Sequence, residues 1–229
     1  MKTKTIYLVR HGKAERKAVS IPDFQRSLIK EGKKESKKAA KRFKEQSTTL
    51  DLLISSPANR ALETAHIFAK ELDYPVEKIV LEEVLSQDPS QEDMLKIIKE
   101  LDDACSTVML FGHNPFFLDL ASYLVKDFQN DIPKSGIVGI TFDQSIWAEI
   151  KAGEGALVFY DYPGYKADLR KKNEETLVSN LHNCIVSELS RTDAPAAKSM
   201  EKTITKAVQD IVKRFMRLMK TKQKKEKSE

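Results

Sequence analysis

Ile6-Tyr7-Leu8-Val9-Arg10-His11-Gly12 is the stretch on which the reading of this chain turns. Four consecutive apolar residues, rich in β-formers, predict a short buried strand. The strand delivers Arg10 and His11 at its carboxyl end, and Gly12 lets the chain turn sharply there. In α/β folds ligands bind just outside the carboxyl ends of the strands. A permanently charged guanidinium beside an imidazole in such a place suits an oxyanion site that holds a nucleophile or a base. The alternative is a pair of polar residues that merely end a strand at the surface.

The chain downstream repeats the pattern. Leu50 to Ser56 reads as a second strand, stopped by Ser55, Ser56 and Pro57, with a helix from Ala58 to Leu72 behind it. Arg60 lies in the first turn of that helix, where the helix dipole disfavours a cation; an anion between the two would explain the placement. Lys78 to Leu81 is a short strand. A helix from Ser90 to Leu101 starts on an N-cap of Ser90 with Asp93, and Thr107 to Phe111 is the next strand. Gly112, His113, Asn114 and Pro115 follow directly, so His113 repeats the placement of His11, and Phe116 to Val125 continues as an apolar helix. Ile137 to Phe142, Ile146 to Ile150 and Ala156 to Tyr160 read as three further strands on short links, which favours antiparallel neighbours at one edge. Between the first two strands, Lys30 to Gln46 is a surface helix with Ala39, Ala40 and Phe43 on its narrow apolar face. The expected architecture is α/β: three layers, α/β/α, around a mixed, mostly parallel sheet, with a C-terminal helical extension.

With 229 residues, 41% of them hydrophobic and 32% charged, the chain holds one good core and an appendage. No apolar run approaches the roughly 20 residues that span a bilayer, and the N-terminus lacks the apolar core of a secretory signal. Cys105 and Cys184 are far apart and lack metal-ligand spacing, which reads as two buried free thiols of a cytoplasmic protein. Charge is divided unevenly. Residues 1–164 hold 23 Lys and Arg against 25 Asp and Glu, and residues 165–229 hold 16 against 9. The expected organisation is a main domain over 1–164, a basic helical hairpin over 165–219, and a charged, disordered tail over 220–229. In the hairpin, Lys166 to Arg191 carries Leu177, Leu181, Ile185 and Leu189, Asp193 to Pro195 is a break, and Ser199 to Met219 carries Ile204, Val208, Ile211, Phe215 and Leu218 as a pairing seam. Its basic side has two readings, a solvated face or a surface for oligomerisation or an anionic partner.

Three strand ends thus present a cation or an imidazole: Arg10 with His11, Arg60, and His113. Guanidinium forks match phosphoryl oxygens, and a neutral imidazole can accept a phosphoryl group. No cofactor or metal cluster is implied by these residues. Leu8-Val9-Arg10-His11-Gly12, the run from Ser55 to Ala65, and Gly112-His113-Asn114-Pro115 resemble the histidine phosphatase (phosphoglycerate mutase-like) superfamily over about residues 4–161. The Gly-His-Asn-Pro form and Trp147, the single tryptophan, resemble its SixA-type phosphohistidine phosphatase branch. That resemblance implies a nucleophilic His11 and a phosphate pocket of Arg10, Arg60 and His113. It implies a metal-independent phosphatase whose substrate is a phosphorylated protein or a small phosphorylated molecule. Arg26, in a segment similar to the family's Arg-Pro-Leu stretch but with Ser27 in place of Pro, is a further candidate for substrate binding. The general acid that many members carry after the third strand has three candidates here, Glu82, Glu83 and Asp88. A missing acid would favour phosphohistidine, whose leaving nitrogen is readily protonated, and a well-placed Glu83 would favour phosphoesters. A different class of reading is a phospho-ligand binding or scaffold module acting through the C-terminal helices.

Overall fold

The computed structural model describes residues 3–87 and 89–225. The chain divides after Pro163 into two compact units.

The N-terminal unit is built on a six-stranded sheet: β1 (Lys4–Arg10), β2 (Leu52–Ser55), β3 (Val80–Leu81), β4 (Thr107–Gly112), β5 (Ile137–Phe142) and β6 (Ala156–Asp161). Spatial order is β3-β2-β4-β1-β5-β6. The first four strands in that order run parallel to one another, while β5 pairs antiparallel with both β1 and β6. The sheet is therefore mixed, with the antiparallel pairs at one edge.

Alternation along the central strands explains the layers. On β1 and β4, Ile6, Leu8, Val108 and Leu110 face one way, toward α3 (Gln91–Lys99) and α4 (Phe116–Leu124), and pack with Met94, Ile98, Phe117 and Leu120. Tyr7, Val9, Met109 and Phe111 face the other way, toward α1 (Lys30–Lys44) and α2 (Asn59–Glu71), and pack with Phe43 and Phe68. A strand buried on both faces reads as an unbroken apolar run rather than an alternating one, which is why Ile6 to Val9 stands out in the sequence. Ser90 and Asp93 form a reciprocal capping box at the start of α3, as their spacing predicts.

One expected strand is not formed. Trp147–Glu149 is a 3-10 turn, so the sheet has six strands rather than seven. The cause is Trp147, which is fully buried. Its indole N–H donates to the Cys105 carbonyl at 2.8 Å, and its backbone N–H donates to Asp103 Oδ1 at 2.8 Å. Lys4 Nζ, also buried, donates to the carbonyls of Asp103 and Cys105 and lies 5.2 Å from the centre of the indole ring. These bonds draw the segment inward to the amino end of the sheet, opposite the strand ends that carry Arg10 and His113.

The second unit is a helical hairpin, α5 (Tyr165–Thr192) and α6 (Ala194–Lys225). Asp193 alone breaks the helix, and its Oδ1 accepts from the Ala196 N–H at 3.0 Å, a side-chain cap. Ile204, Val208 and Val212 of α6 are buried against Leu177, Val178, Ile185 and Val186 of α5. The seam therefore follows steps of four, and Ile211, Phe215 and Leu218, expected in it, are exposed, as are Leu181 and Leu189 on α5. Successive steps of four keep residues within about 40° of one another on a helix, whereas Ile211 and Leu218 fall on the neighbouring stripe. α6 continues to Lys225, six residues into the stretch expected to be disordered; its Lys and Gln residues are good helix formers. Residues 226–229 lie outside the described residues. Both cysteines are free, but only Cys105 is partly buried; Cys184 is exposed on α5, contrary to the expectation of two buried thiols. No helix among the described residues is long and apolar enough to cross a membrane.

Candidate active site

Parallel pairing places the ends of β1 and β4 side by side. Arg10 is in register with Gly112, and the His11 N–H donates to the Gly112 carbonyl at 3.0 Å. The residues that follow each strand, His11 and His113, are therefore neighbours, with ring centres 5.1 Å apart. β2 ends alongside, where the Ser56 N–H donates to the Phe111 carbonyl and Ser56 Oγ lies 3.1 Å from His113 Nε2. The first turn of α2 then brings Arg60 in. Thr64 Oγ1 donates to the Arg60 carbonyl at 2.7 Å and accepts from the Gly12 N–H at 3.1 Å, which ties that turn to the end of β1. Gly12 is required by close approach: a Cβ there would stand 2.6 Å from Ser36 Oγ and 3.1 Å from the Gly32 carbonyl. His11, Arg60 and His113 are all buried. The Arg10 guanidinium donates from Nη1 to the Ile132 carbonyl at 2.7 Å and lies close enough to both imidazoles to depress their basicity.

The hydrogen bond of His11 fixes its tautomer. Nδ1 lies 2.7 Å from the Gly12 carbonyl oxygen. A carbonyl only accepts, so Nδ1 carries the proton, and in the neutral ring Nε2 keeps its lone pair. The ring is neutral across the physiological range. Burial pushes its pKa down to about 3; the Gly12 carbonyl opposes that shift, and His113, Arg60 and Arg10 add to it. Burial likewise lowers His113 to about 4, with Arg60 contributing and Asp23 opposing. Two nitrogens here, Arg10 Nε and His113 Nδ1, are buried with no hydrogen-bond partner among the described residues. In folded proteins buried polar groups of this kind take up a partner.

A measurable consequence follows. The folded protein keeps both rings neutral while the unfolded chain protonates them near pH 6.5, so stability is whole above about pH 6.5 and falls as pH drops toward 3. In an NMR titration the His11 ring resonances should stay unprotonated from about pH 8 down to pH 5. A midpoint near 6.5 would contradict the burial argument.

The remaining candidates fall differently. Arg26 lies beside the cluster but is engaged with Asp23: Nε donates to Asp23 Oδ1 at 3.0 Å, Nη2 stands 2.9 Å from it, and Nη1 donates to the Glu15 carbonyl. Glu82 accepts from the Val84 N–H and so caps the short 3-10 turn after β3. Glu83 is exposed, and its carbonyl accepts from Ser86 Oγ. Among the described residues neither carboxylate bonds to the four-residue cluster, and Asp88 lies outside the described residues.

The sequence reading passed over Asp23, a carboxylate that reaches the cluster. Its Oδ2 is 2.9 Å from Arg60 Nη2, and its carbonyl accepts from Arg60 Nη1 at 2.6 Å. This is the anion that the position of Arg60 called for. Burial works to raise the Asp23 pKa, but the Arg60 and Arg26 guanidiniums outweigh it and hold the carboxyl below its ordinary value. A signal was present in the spacing, with Asp23 three residues before Arg26. Among the described residues no group of three His, Cys, Asp or Glu side chains is placed to hold a metal ion.

Residues 6–85 match the sequence model of the histidine phosphatase superfamily (branch 1). The matched stretch includes Leu8 to Gly12 and Ser55 to Ala65. No curated protein matches the chain significantly in sequence. Solved structures do match in fold. A SixA protein from Agrobacterium tumefaciens superposes with a TM-score of 0.58 at 22% identity, covering 70% of this chain and 99% of its own. The protein histidine phosphatase SixA complexed with tungstate gives 0.57 at 21%, covering 71% and 99%. A SixA protein from Nakamurella multipartitia gives 0.60 at 18%, covering 70% and 96%. At these identities the likeness establishes the fold, a phosphoglycerate mutase-like α/β sandwich, and the superfamily match agrees with it.

Proposed function

We propose that the N-terminal unit is a phosphatase that passes its phosphoryl group through His11, with phosphohistidine in a protein as substrate. The observation that carries this reading is the bond from His11 Nδ1 to the Gly12 carbonyl, which leaves Nε2 deprotonated in a buried ring. Nε2 attacks phosphorus, the leaving group departs, and water then hydrolyses the phosphoenzyme. Arg10, Arg60 and His113 would receive the phosphoryl oxygens; Arg10 Nε and His113 Nδ1 have bonding capacity that an oxyanion would take up. The guanidiniums supply positive charge of the kind a metal brings to other phosphoryl-transfer sites. A fold relative crystallised with tungstate, a tetrahedral oxyanion, is consistent with this use of the fold.

The state of the acids after β3 favours phosphohistidine over an ester. Glu82 is occupied as a cap and Glu83 is exposed, and among the described residues neither carboxylate bonds to the cluster, so neither is positioned there as the proton donor a leaving alkoxide needs. A phosphoramidate leaves as a neutral nitrogen base and needs no such acid. The competing reading is a small phosphoester as substrate. Phosphate release from phosphohistidine and from phenyl phosphate separates them: kcat/KM should favour phosphohistidine, and a preference for the ester would reverse the assignment.

For residues 165–229 we propose docking on an anionic partner. α6 carries ten Lys and Arg against two Asp and Glu, and Ile211, Phe215 and Leu218 are exposed along it. Retention of the full chain on a heparin resin should fall with salt and should weaken when Lys213, Arg214 and Arg217 are changed to Gln. Unchanged retention in that variant would refute the docking role.

A further inference from the structure

The mouth of the site carries a carboxylate that phosphate binding alone does not require. Asp23 sits on a strap that leaves β1 and returns to α1. The strap is held by isolated bridges between Ala14 and Leu28 and between Ala18 and Ile21, and by the bond from Asn59 Nδ2 to the Gln25 carbonyl. The side chain of Asp23 is 46% exposed, against 10% for Arg60 and 12% for Arg26. It is thus the outermost member of the cluster, while His11 lies at the buried end. A phosphoryl group seated against His11 Nε2 has its leaving group on the outward side, in line with the attack.

Oδ1 of Asp23 is taken up by Arg26 Nε and Nη2, with Lys17 Nζ 3.7 Å away, whereas among the described residues Oδ2 has one partner, Arg60 Nη2. A carboxylate oxygen accepts two hydrogen bonds, so Oδ2 retains capacity. Placing a negative charge here hinders an anionic substrate unless the leaving group brings a donor or a positive charge of its own.

We infer that Asp23 is a specificity-determining residue that accepts a hydrogen bond from the N–H of a leaving imidazole, selecting phosphohistidine over phosphate esters of alcohols. This rests on the phosphatase reading above. The step balances without an added acid. The substrate ring is phosphorylated on one nitrogen and protonated on the other. As the His11 Nε2–P bond forms, the substrate P–N bond breaks and its electron pair returns to the ring nitrogen. The ring leaves as neutral imidazole, still carrying its N–H. His11 becomes the phosphorylated, Nδ1-protonated ring, with its N–H on the Gly12 carbonyl. The two rings exchange roles, each with its N–H held by a protein oxygen: the Gly12 carbonyl for one, Asp23 for the other. An alkyl ester offers Asp23 no such donor.

The test compares kcat/KM of the full-length wild type, Asp23→Asn and Asp23→Glu on phosphohistidine and on phenyl phosphate. Asn keeps an oxygen that can accept from Arg60, so the guanidinium stays placed. Asp23→Asn should lose about tenfold to a hundredfold on phosphohistidine while phenyl phosphate changes by less than about threefold or improves. Asp23→Glu should recover part of the loss. Equal losses on both substrates would mean that Asp23 only holds Arg60, and no loss on either would remove it from the reaction; each result overturns the assignment. A wild type inert on both substrates would instead refute the phosphatase reading, and this inference with it.

Discussion

His11→Ala is expected to lower phosphate release from phosphohistidine by more than about a thousandfold while leaving the melting temperature close to that of the wild type. The size follows from the proposed role: the variant removes the atom assigned to accept the phosphoryl group, so no remaining interaction can substitute for it. The fold should tolerate the change because the ring's one described bond is to the Gly12 carbonyl next to it, and the backbone N–H of residue 11 still donates to the Gly112 carbonyl. His11→Asn is the stricter control, since its amide can keep a donor near Gly12 and has no nucleophilic nitrogen. Circular dichroism and thermal melting check the fold, and phosphate release checks the activity. Turnover within tenfold of wild type in both variants would remove His11 from the reaction.

Arg60→Ala should cost on the order of a hundredfold to a thousandfold in kcat, the range seen when one preorganised donor to a developing oxyanion is removed. Arg60→Lys should recover little of it. The guanidinium reaches the Asp23 carboxylate with one terminal nitrogen and the Asp23 carbonyl with the other, at 2.9 Å and 2.6 Å. A single ammonium cannot span both acceptors and still address a phosphoryl oxygen. Removing the cation also changes the field at the imidazoles, since Arg60 lowers the pKa of both His11 and His113. Their NMR titrations should therefore move upward in Arg60→Ala even without substrate. Unmoved titrations together with unchanged kcat would place Arg60 outside the site. The exposed ion pairs of α1, such as Lys44 with Asp73, carry no such expectation, because solvent screens them.

How much of this was legible in the sequence depended on the range of the forces involved. Strands β1, β2, β4, β5 and β6 announce themselves because burial imposes an apolar run or an alternation on neighbouring residues. The strand ends that carry Arg10, His11, Arg60 and His113 could be read for the same reason: a glycine or a serine-proline break marks each place where the apolar run stops. Ile146 to Ile150 misled because its local pattern fits a strand. What decides it is an indole N–H finding the carbonyl of Cys105, 42 residues away. The hairpin seam was read correctly at Ile204 and Val208 but was carried on to Ile211, Phe215 and Leu218, because these are as apolar as the buried set of Ile204, Val208 and Val212. Only the partner helix distinguishes the two sets. Asp23 was passed over because it lies in a loop without periodicity, and its contact with Arg60 depends on how the strap returns to α1. Glu82 was visible as an acid after β3, but its use as a cap by the Val84 N–H is a matter of a side-chain direction that sequence does not encode.

The central event of the proposed reaction is a covalent bond between phosphorus and one ring nitrogen. Rapid quenching of the wild-type chain during turnover of phosphohistidine, followed by peptide mass spectrometry under alkaline conditions, measures it directly. The expected result is a phosphoryl group on Nε2 of His11, formed within a single turnover and absent from His11→Asn. Steady release of phosphate with His11 unmodified at every quench time, or with the label on His113 instead, would contradict it.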